Sequence, residues 1–75
     1  EYAKGNKMGA IAGFENILNI YRQINDVKGQ VPVLFSLGLL HEESGNVQKG
    51  QEFFRQVLSI NPDHIQAQGK VPPIN

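Results

Sequence analysis

The fold is decided by one stretch of the sequence, LFSLGLLHEESGNVQKGQEFFRQVLSINP, which runs from Leu34 to Pro62. Its apolar residues recur at helical spacing on both sides of Gly45-Asn46, a pair that favours a turn. Pro62 ends the second apolar segment, because the residue before a proline is pushed out of the α region. The stretch therefore predicts two amphipathic helices joined by a turn.

The preceding sequence extends this helical pattern toward the N-terminus. A first helix is predicted from Lys7 to Asp26, and Gly29 just beyond it can adopt the positive φ that commonly ends a helix. The next helix is expected to begin at Pro32, because proline suits the first helical position, and to contain about thirteen residues. Three helices would then account for most of the chain.

After Pro62 the sequence favours little regular structure. Residues 65–68 allow about one helical turn before Gly69 and the pair Pro72-Pro73 prevent a longer one. No stretch has the sustained apolar–polar alternation of a β-strand. We therefore expect an all-α chain of about three helices, with a helical segment at 1–64 and a short turn or irregular tail at 65–75.

The chain repeats part of itself at an offset of 40 residues. The alignment places Gly5-Asn6 on Gly45-Asn46, Ala10 on Gly50, Phe14 on Phe54, Ile17 on Val57, Leu18 on Leu58 and Ile20 on Ile60. Repetition at a period of about 20 to 50 residues is typical of solenoids, in which units stack because none can bury its apolar face alone.

The second copy contains the motif Leu34-x2-Leu37-Gly38-x2-His41, then Gly50-x3-Phe54, then Pro62, which resembles the tetratricopeptide repeat. The resemblance covers about Val31 to His64 as one full unit and Glu1 to Ile20 as the end of a preceding one. It implies antiparallel helical hairpins in a right-handed superhelix. Gly38 and Gly50 are expected where the two helices of one hairpin approach closely.

The chain departs from the family pattern in composition and in spacing. Leu34, His41 and Gly50 stand where tryptophan, tyrosine and alanine are common. The family period is about 34 residues, so the offset of 40 inserts about six residues around 21–30. We expect the inserted residues to lengthen the first helix by roughly one and a half turns.

Composition and charge argue against several classes of partner. Seven basic residues balance seven acidic ones, so no net charge steers the chain to nucleic acid or to an anionic membrane. The apolar run Val33–Phe35 is far shorter than the ~20 residues that span a bilayer. We predict no nucleic-acid partner and no membrane span. The compartment is left open, with the cytoplasm as the default.

Chemically reactive residues are few and poorly arranged for catalysis. His41 and His64 have no zinc-site spacing and no cysteine to assist them, so we expect a core-boundary residue and an exposed turn residue. Glu42 and Glu43 are adjacent and point about 100° apart on a helix, unlike two catalytic carboxyls in one pocket. We predict no catalytic residue, no metal, no cofactor and no enzymatic activity.

Gly5, Gly9 and Gly13 recur every four residues near the start of the chain. In an apolar segment this spacing would indicate dimerisation of membrane helices, but polar residues lie among these glycines. We therefore expect close packing against a neighbouring helix.

In the tetratricopeptide family, the first helix of each hairpin lines a concave groove. The resemblance therefore implies partner contacts at Pro32, Phe35, Ser36, Leu39, Glu42 and Glu43. Phe35 and Leu39 lie one turn apart on a face distinct from the main apolar stripe. Either they contact a partner, or the first helix or an adjacent repeat covers them. They replace the lysine and asparagine of the family's carboxylate clamp, which disfavours a peptide C-terminus as ligand.

These features predict a protein–protein interaction scaffold that binds a partner peptide or helix through an apolar groove with an acidic rim. The alternative is a structural subunit whose apolar faces stack on further repeats or sister subunits. The first residue is not methionine, which we interpret as a processed or excised chain. Because about three repeats are usually needed for stability, we expect marginal stability or self-association through exposed repeat ends.

Overall fold

A computed structural model describes residues 4–71, with side chains from residue 6 onward. It contains four helices, which are α1 (Lys4–Gln23), α2 (Val27–Glu43), α3 (Val47–Ile60) and α4 (Ile65–Lys70). The most extensive interface joins α2 to α3, while α1 packs on α2 and α4 packs on α3. No strand occurs within residues 4–71, and the predicted all-α class of helical hairpins is confirmed. Glu1–Ala3 and Pro72-Pro73 lie outside the described residues.

The turns after α1 and α2 have the same backbone geometry. Each contains one residue with positive φ, Asn25 at 60° and Gly45 at 90°. The N–H of the next residue then donates to a carbonyl five residues earlier, as in a Schellman motif. These bonds join Asp26 to Tyr21 at 2.9 Å and Asn46 to His41 at 2.8 Å. The helices on either side of each short turn therefore form antiparallel neighbours.

The predicted end of the first helix was wrong because Asn25, and not Gly29, takes the left-handed conformation. Asparagine tolerates this region better than most residues do. Gly29 lies inside α2, where its backbone N–H donates to the Asp26 carboxylate at 2.9 Å and so caps the new helix. A Cβ on Gly29 would lie 2.7 Å from Cε1 of Tyr21. Gly29 therefore allows close contact between α2 and the end of α1.

Pro32 is the sixth residue of α2 and not its first, so the predicted start of this helix was also wrong. The cap at Asp26 begins α2 earlier and lengthens it to 17 residues. The inserted residues accordingly extend α1 only as far as Gln23, three positions past Ile20. This extension is shorter than the predicted one and a half turns. In the alignment Ile20 corresponds to Ile60, the last residue of α3. The insertion mainly forms the turn and the first turn of α2.

The core lies between α2 and α3. Leu34, Leu37, Phe54 and Val57 are completely buried there. A Cβ on Gly38 would overlap the ring of Phe54. This confirms the predicted close approach at the mid-helix glycine. Each of these large side chains fills the space between the two helices of the hairpin, so their burial supplies most of its stability.

Helix α1 buries Leu18 against this core but leaves its outer side open. A Cβ on Gly9 or Gly13 would have no atom of a neighbouring residue within 4 Å. The prediction that these glycines pack closely on another helix is therefore wrong for the described residues. Gly5, the third member of the series, lies within α1. Its surroundings are not described.

Helix α4 is longer than the single turn that the sequence predicts. It contains six residues and includes Gly69. His64 caps it, since Nδ1 of the imidazole accepts a hydrogen bond from the Ala67 N–H at 3.1 Å. Ala67 is fully buried. His64 is half-buried and not the exposed turn residue that we expected.

Candidate protein-binding face on α2

The six residues predicted to contact a partner all lie on α2. Their spacing places them along one side of the helix, within an arc of about 120°. Pro32 and Glu43 are exposed, whereas Phe35, Ser36, Leu39 and Glu42 are half-buried. We call this set the outer face of α2.

Phe35 is covered by neighbours from within the chain. Its ring lies 5.5 Å from the ring of Phe54 and 5.1 Å from that of His64, measured between centroids. Both distances lie in the range of favourable aromatic contact. Phe35 therefore joins the core to the start of α4. The groups that cover Phe35 are Phe54 of α3 and His64, the N-cap residue of α4.

Two polar contacts hold the end of α4 beside the outer face. Nζ of Lys70 lies 3.1 Å from Oε1 of Glu42, and both side chains are about one-third exposed. Nε2 of Gln51 donates to the carbonyl oxygen of Lys70 at 2.6 Å. Oε1 of the same Gln51 is buried without a hydrogen-bond partner. Helix α4 thus occupies the edge of the outer face that carries Phe35 and Glu42.

The acidic rim predicted from Glu42 and Glu43 is neutralised by lysines. Glu43 lies 3.9 Å from Nζ of Lys7 on α1, with both side chains more than one-third exposed. A pair this long and this exposed contributes little to stability. Each carboxylate nevertheless has a positive neighbour, so the outer face carries no excess negative charge.

The part of the outer face away from α4 consists of Pro32, Ser36, Leu39 and Glu43. Leu39 is its large apolar residue, and it is half-buried. This part of the face therefore presents an apolar side chain flanked by polar groups.

A cavity that the sequence did not reveal lies where α1 crosses the end of α2. Its volume is about 430 Å³, and its lining comprises Lys7, Met8, Ile11, His41, Glu43, Ser44 and Asn46. The ring of His41 stacks on Phe53 at 5.4 Å, and its Nε2 atom is buried without a hydrogen-bond partner. The half-buried His41 confirms the predicted core-boundary position. Residues of the cavity meet only through tertiary packing, so no local sequence pattern could indicate it.

Residues 4–71 contain no group of three or more histidine, cysteine or carboxylate side chains that could hold a metal ion. None of their helices is both long enough and apolar enough to cross a membrane.

Comparison with known proteins identifies the hairpin. The family model described as "Tetratricopeptide repeat" matches residues 31–64, which contain most of α2, all of α3 and the cap of α4. Comparisons with curated proteins and with solved structures gave no significant match. The matched segment coincides with the full unit indicated by the motif from Leu34 to Pro62. Residues 31–64 thus match the tetratricopeptide repeat, a module whose usual role is protein–protein interaction.

Proposed function

We propose that the chain binds a peptide or helix of a partner protein along the outer face of α2, with Leu39 as the apolar anchor. The observation that carries this proposal is the position of Leu39, a half-buried leucine between the exposed Pro32 and Glu43 on one side of the helix. An apolar residue with polar neighbours on a repeat helix suits the side chain of an extended or helical ligand. Phe35 packs on Phe54 and His64 beside this face, and in this proposal it does not contact the ligand directly.

Charge determines what kind of ligand fits. Because Glu42 is paired with Lys70 at 3.1 Å, it contributes little attraction for a basic ligand. The longer contact between Glu43 and Lys7 is exposed and easily exchanged. A lysine or arginine next to the apolar anchor of the ligand can therefore replace Lys7 at Glu43. The expected ligand combines one large apolar residue with a nearby basic residue.

A peptide library displayed on phage and selected against the full chain tests this function. The selected peptides should share an apolar residue and a neighbouring basic residue. Leu39→Asp should weaken their binding at least tenfold, because a carboxylate replaces the apolar contact. Val47→Asp is the matched control, since Val47 is an exposed valine at the start of α3, where aspartate is tolerated. Equal binding to the wild type and to Leu39→Asp would refute the proposal.

A further inference from the structure

A lysine without a partner extends the outer face of α2 toward the start of the helix. Lys28 is exposed, and among the residues that the structure describes its ammonium group has no ion pair or hydrogen bond. It lies four positions before Pro32, so helical spacing places it within the same arc as Pro32 and Leu39. The nearby carboxylate of Asp26 caps the helix by accepting the Gly29 N–H at 2.9 Å. Lys28 therefore presents a free positive charge at this end of the face.

Lys28 borders a cavity between the start of α2 and the end of α3. Its volume is about 460 Å³, and its lining comprises Lys28, Val31, Pro32, Ile60 and Asn61. Val31 and Ile60 are half-buried and pack against the core, so part of the wall is apolar. Among these five described residues, only Lys28 is charged. The cavity therefore suits a side chain that has an apolar stem and an anionic end.

The two ends of the outer face of α2 have opposite charge. At one end, the contact of 3.9 Å between Glu43 and Lys7 is exposed and easily exchanged. At the other end, Lys28 has no counter-ion among the described residues. A ligand with one basic and one acidic residue is therefore complementary to the face in one orientation only, because the reversed ligand brings like charges together.

The distance between the ends limits how the ligand can be arranged. Leu39 and Lys28 are 11 positions apart on α2, which corresponds to about 16 Å along the helix. Helix α4 occupies the edge beside Phe35 and Glu42, so the accessible side chains form a single row. A single row suits an extended peptide better than a helix about 10 Å wide. An extended peptide advances about 3.3 Å per residue and spans this distance with about five residues.

We propose that the cavity beside Lys28 binds a glutamate of the same extended peptide, about five residues from the apolar anchor and on the side away from the basic residue. The carboxylate of this glutamate pairs with Lys28, and its methylene groups lie against Val31 and Ile60. The inference rests on the proposed function, because contact of the apolar anchor with Leu39 sets the register of the peptide. It adds a second contact, a spacing and an orientation to that function.

A panel of synthetic peptides, titrated into the full chain labelled with ¹⁵N, tests this arrangement. Each peptide has one leucine, a lysine next to it on one side, and a glutamate two, five or eight positions away on the other side, with serine elsewhere. All are made in both sequence directions, and acetylated and amidated ends leave the glutamate as the only carboxylate. The peptide with a separation of five should bind most tightly. It should bind about threefold more tightly than its glutamine counterpart, which is the effect expected of an exposed ion pair.

Two lysine variants test whether Lys28 makes the contact. Lys28→Glu should abolish the preference for glutamate over glutamine, whereas Lys49→Glu should retain it. Lys49 is the matched control, because it is also exposed and also lies in the first turn of its helix. An acidic residue is favourable there, so both variants should keep the fold, which circular dichroism checks. A peptide with lysine in place of the glutamate should bind Lys28→Glu more tightly than it binds the wild type.

Other results would overturn the proposal. Equal binding of the glutamate and glutamine peptides at every separation, or a preference that persists in Lys28→Glu, would exclude the ion pair. Tighter binding of leucine than of glutamate at this position would assign the cavity to an apolar side chain. Leu39→Asp separates this inference from the proposed function. If Leu39→Asp weakens every peptide at least tenfold and Lys28→Glu weakens none, only the acidic contact is wrong, whereas unchanged binding to Leu39→Asp would refute the proposed function itself.

Discussion

Gly50 approaches Gly38 so closely that a Cβ on Gly50 would lie 2.8 Å from the carbonyl oxygen of Gly38. The same Cβ would lie 3.3 Å from the backbone nitrogen of Glu42. Both neighbours are backbone atoms, so no side-chain rotation relieves the contact. Alanine is common at this position in the family, but here α2 and α3 are in contact through their main chains. The crossing of the two helices therefore depends on glycine at both positions.

Gly50→Ala should lower the free energy of unfolding. Overpacking costs about 1–3 kcal/mol, and the better helix propensity of alanine offsets at most ~1 kcal/mol of that loss. We expect a net loss of about 1–2 kcal/mol, measured by chemical denaturation followed by circular dichroism. An alanine variant as stable as the wild type would show that α2 and α3 can separate without penalty.

Gly13→Ala should have the opposite effect. The residue lies in α1 with open space around it, so the substitution adds helix propensity without a clash. We expect a gain of about 0.5–1 kcal/mol in the free energy of unfolding. Gly9→Ala should behave alike, because it too has open space around it. A loss of stability at either position would indicate that the space around these glycines is occupied in solution.

Phe35→Ser and Leu39→Ser should differ in their effect on stability. Phe35 contacts Phe54 and His64, so truncation should cost about 2–4 kcal/mol and reduce helicity. Leu39→Ser should cost about 1 kcal/mol or less, because its side chain is only partly removed from water. Circular dichroism with thermal denaturation distinguishes them. If Leu39→Ser unfolds the chain as strongly as Phe35→Ser does, Leu39 belongs to the core and not to a binding face.

His64→Ala should loosen α4, while His64→Asn should preserve it. The imidazole accepts the Ala67 N–H at 3.1 Å, and an asparagine side chain can accept the same bond at a helix start. We expect the alanine variant to lose about 1 kcal/mol and the Ala67 amide to exchange faster with deuterium. Equal exchange rates in the two variants would mean that the cap does not hold α4.

The sequence predicted the hairpin well because its signals are local. Pro62 stopped α3 at Ile60, and Gly45 supplied the positive φ of the turn before α3. The turn between α1 and α2 was harder to predict, because Asn25 and Gly29 both suit a helix end. Only the capping bond from Gly29 to Asp26 decided between them, and such a bond depends on where the next helix begins.

The surroundings of the outer face of α2 could not be predicted from the sequence. The six residues share one side of α2 by their spacing, and this much follows from helix geometry. The cover over Phe35 comes from His64, which is 29 positions away in the chain. The lysines that neutralise Glu42 and Glu43 are likewise distant in sequence. Packing of α1 on α2 and of α4 on α3 brings these groups together, and the spacing of residues along the sequence does not predict that packing.

The position of a bound peptide on the folded chain tests the central claim most directly. A peptide selected for affinity should be titrated into the full chain labelled with ¹⁵N, and its contacts mapped by amide shifts. The account predicts the largest shifts at Ser36, Leu39 and Glu43, with the core amides of Phe54 and Val57 unchanged. Amide shifts confined to α3 would contradict the assignment of the outer face of α2 as the binding surface. The absence of any shift at Ser36, Leu39 and Glu43 in the wild-type chain would contradict it as well.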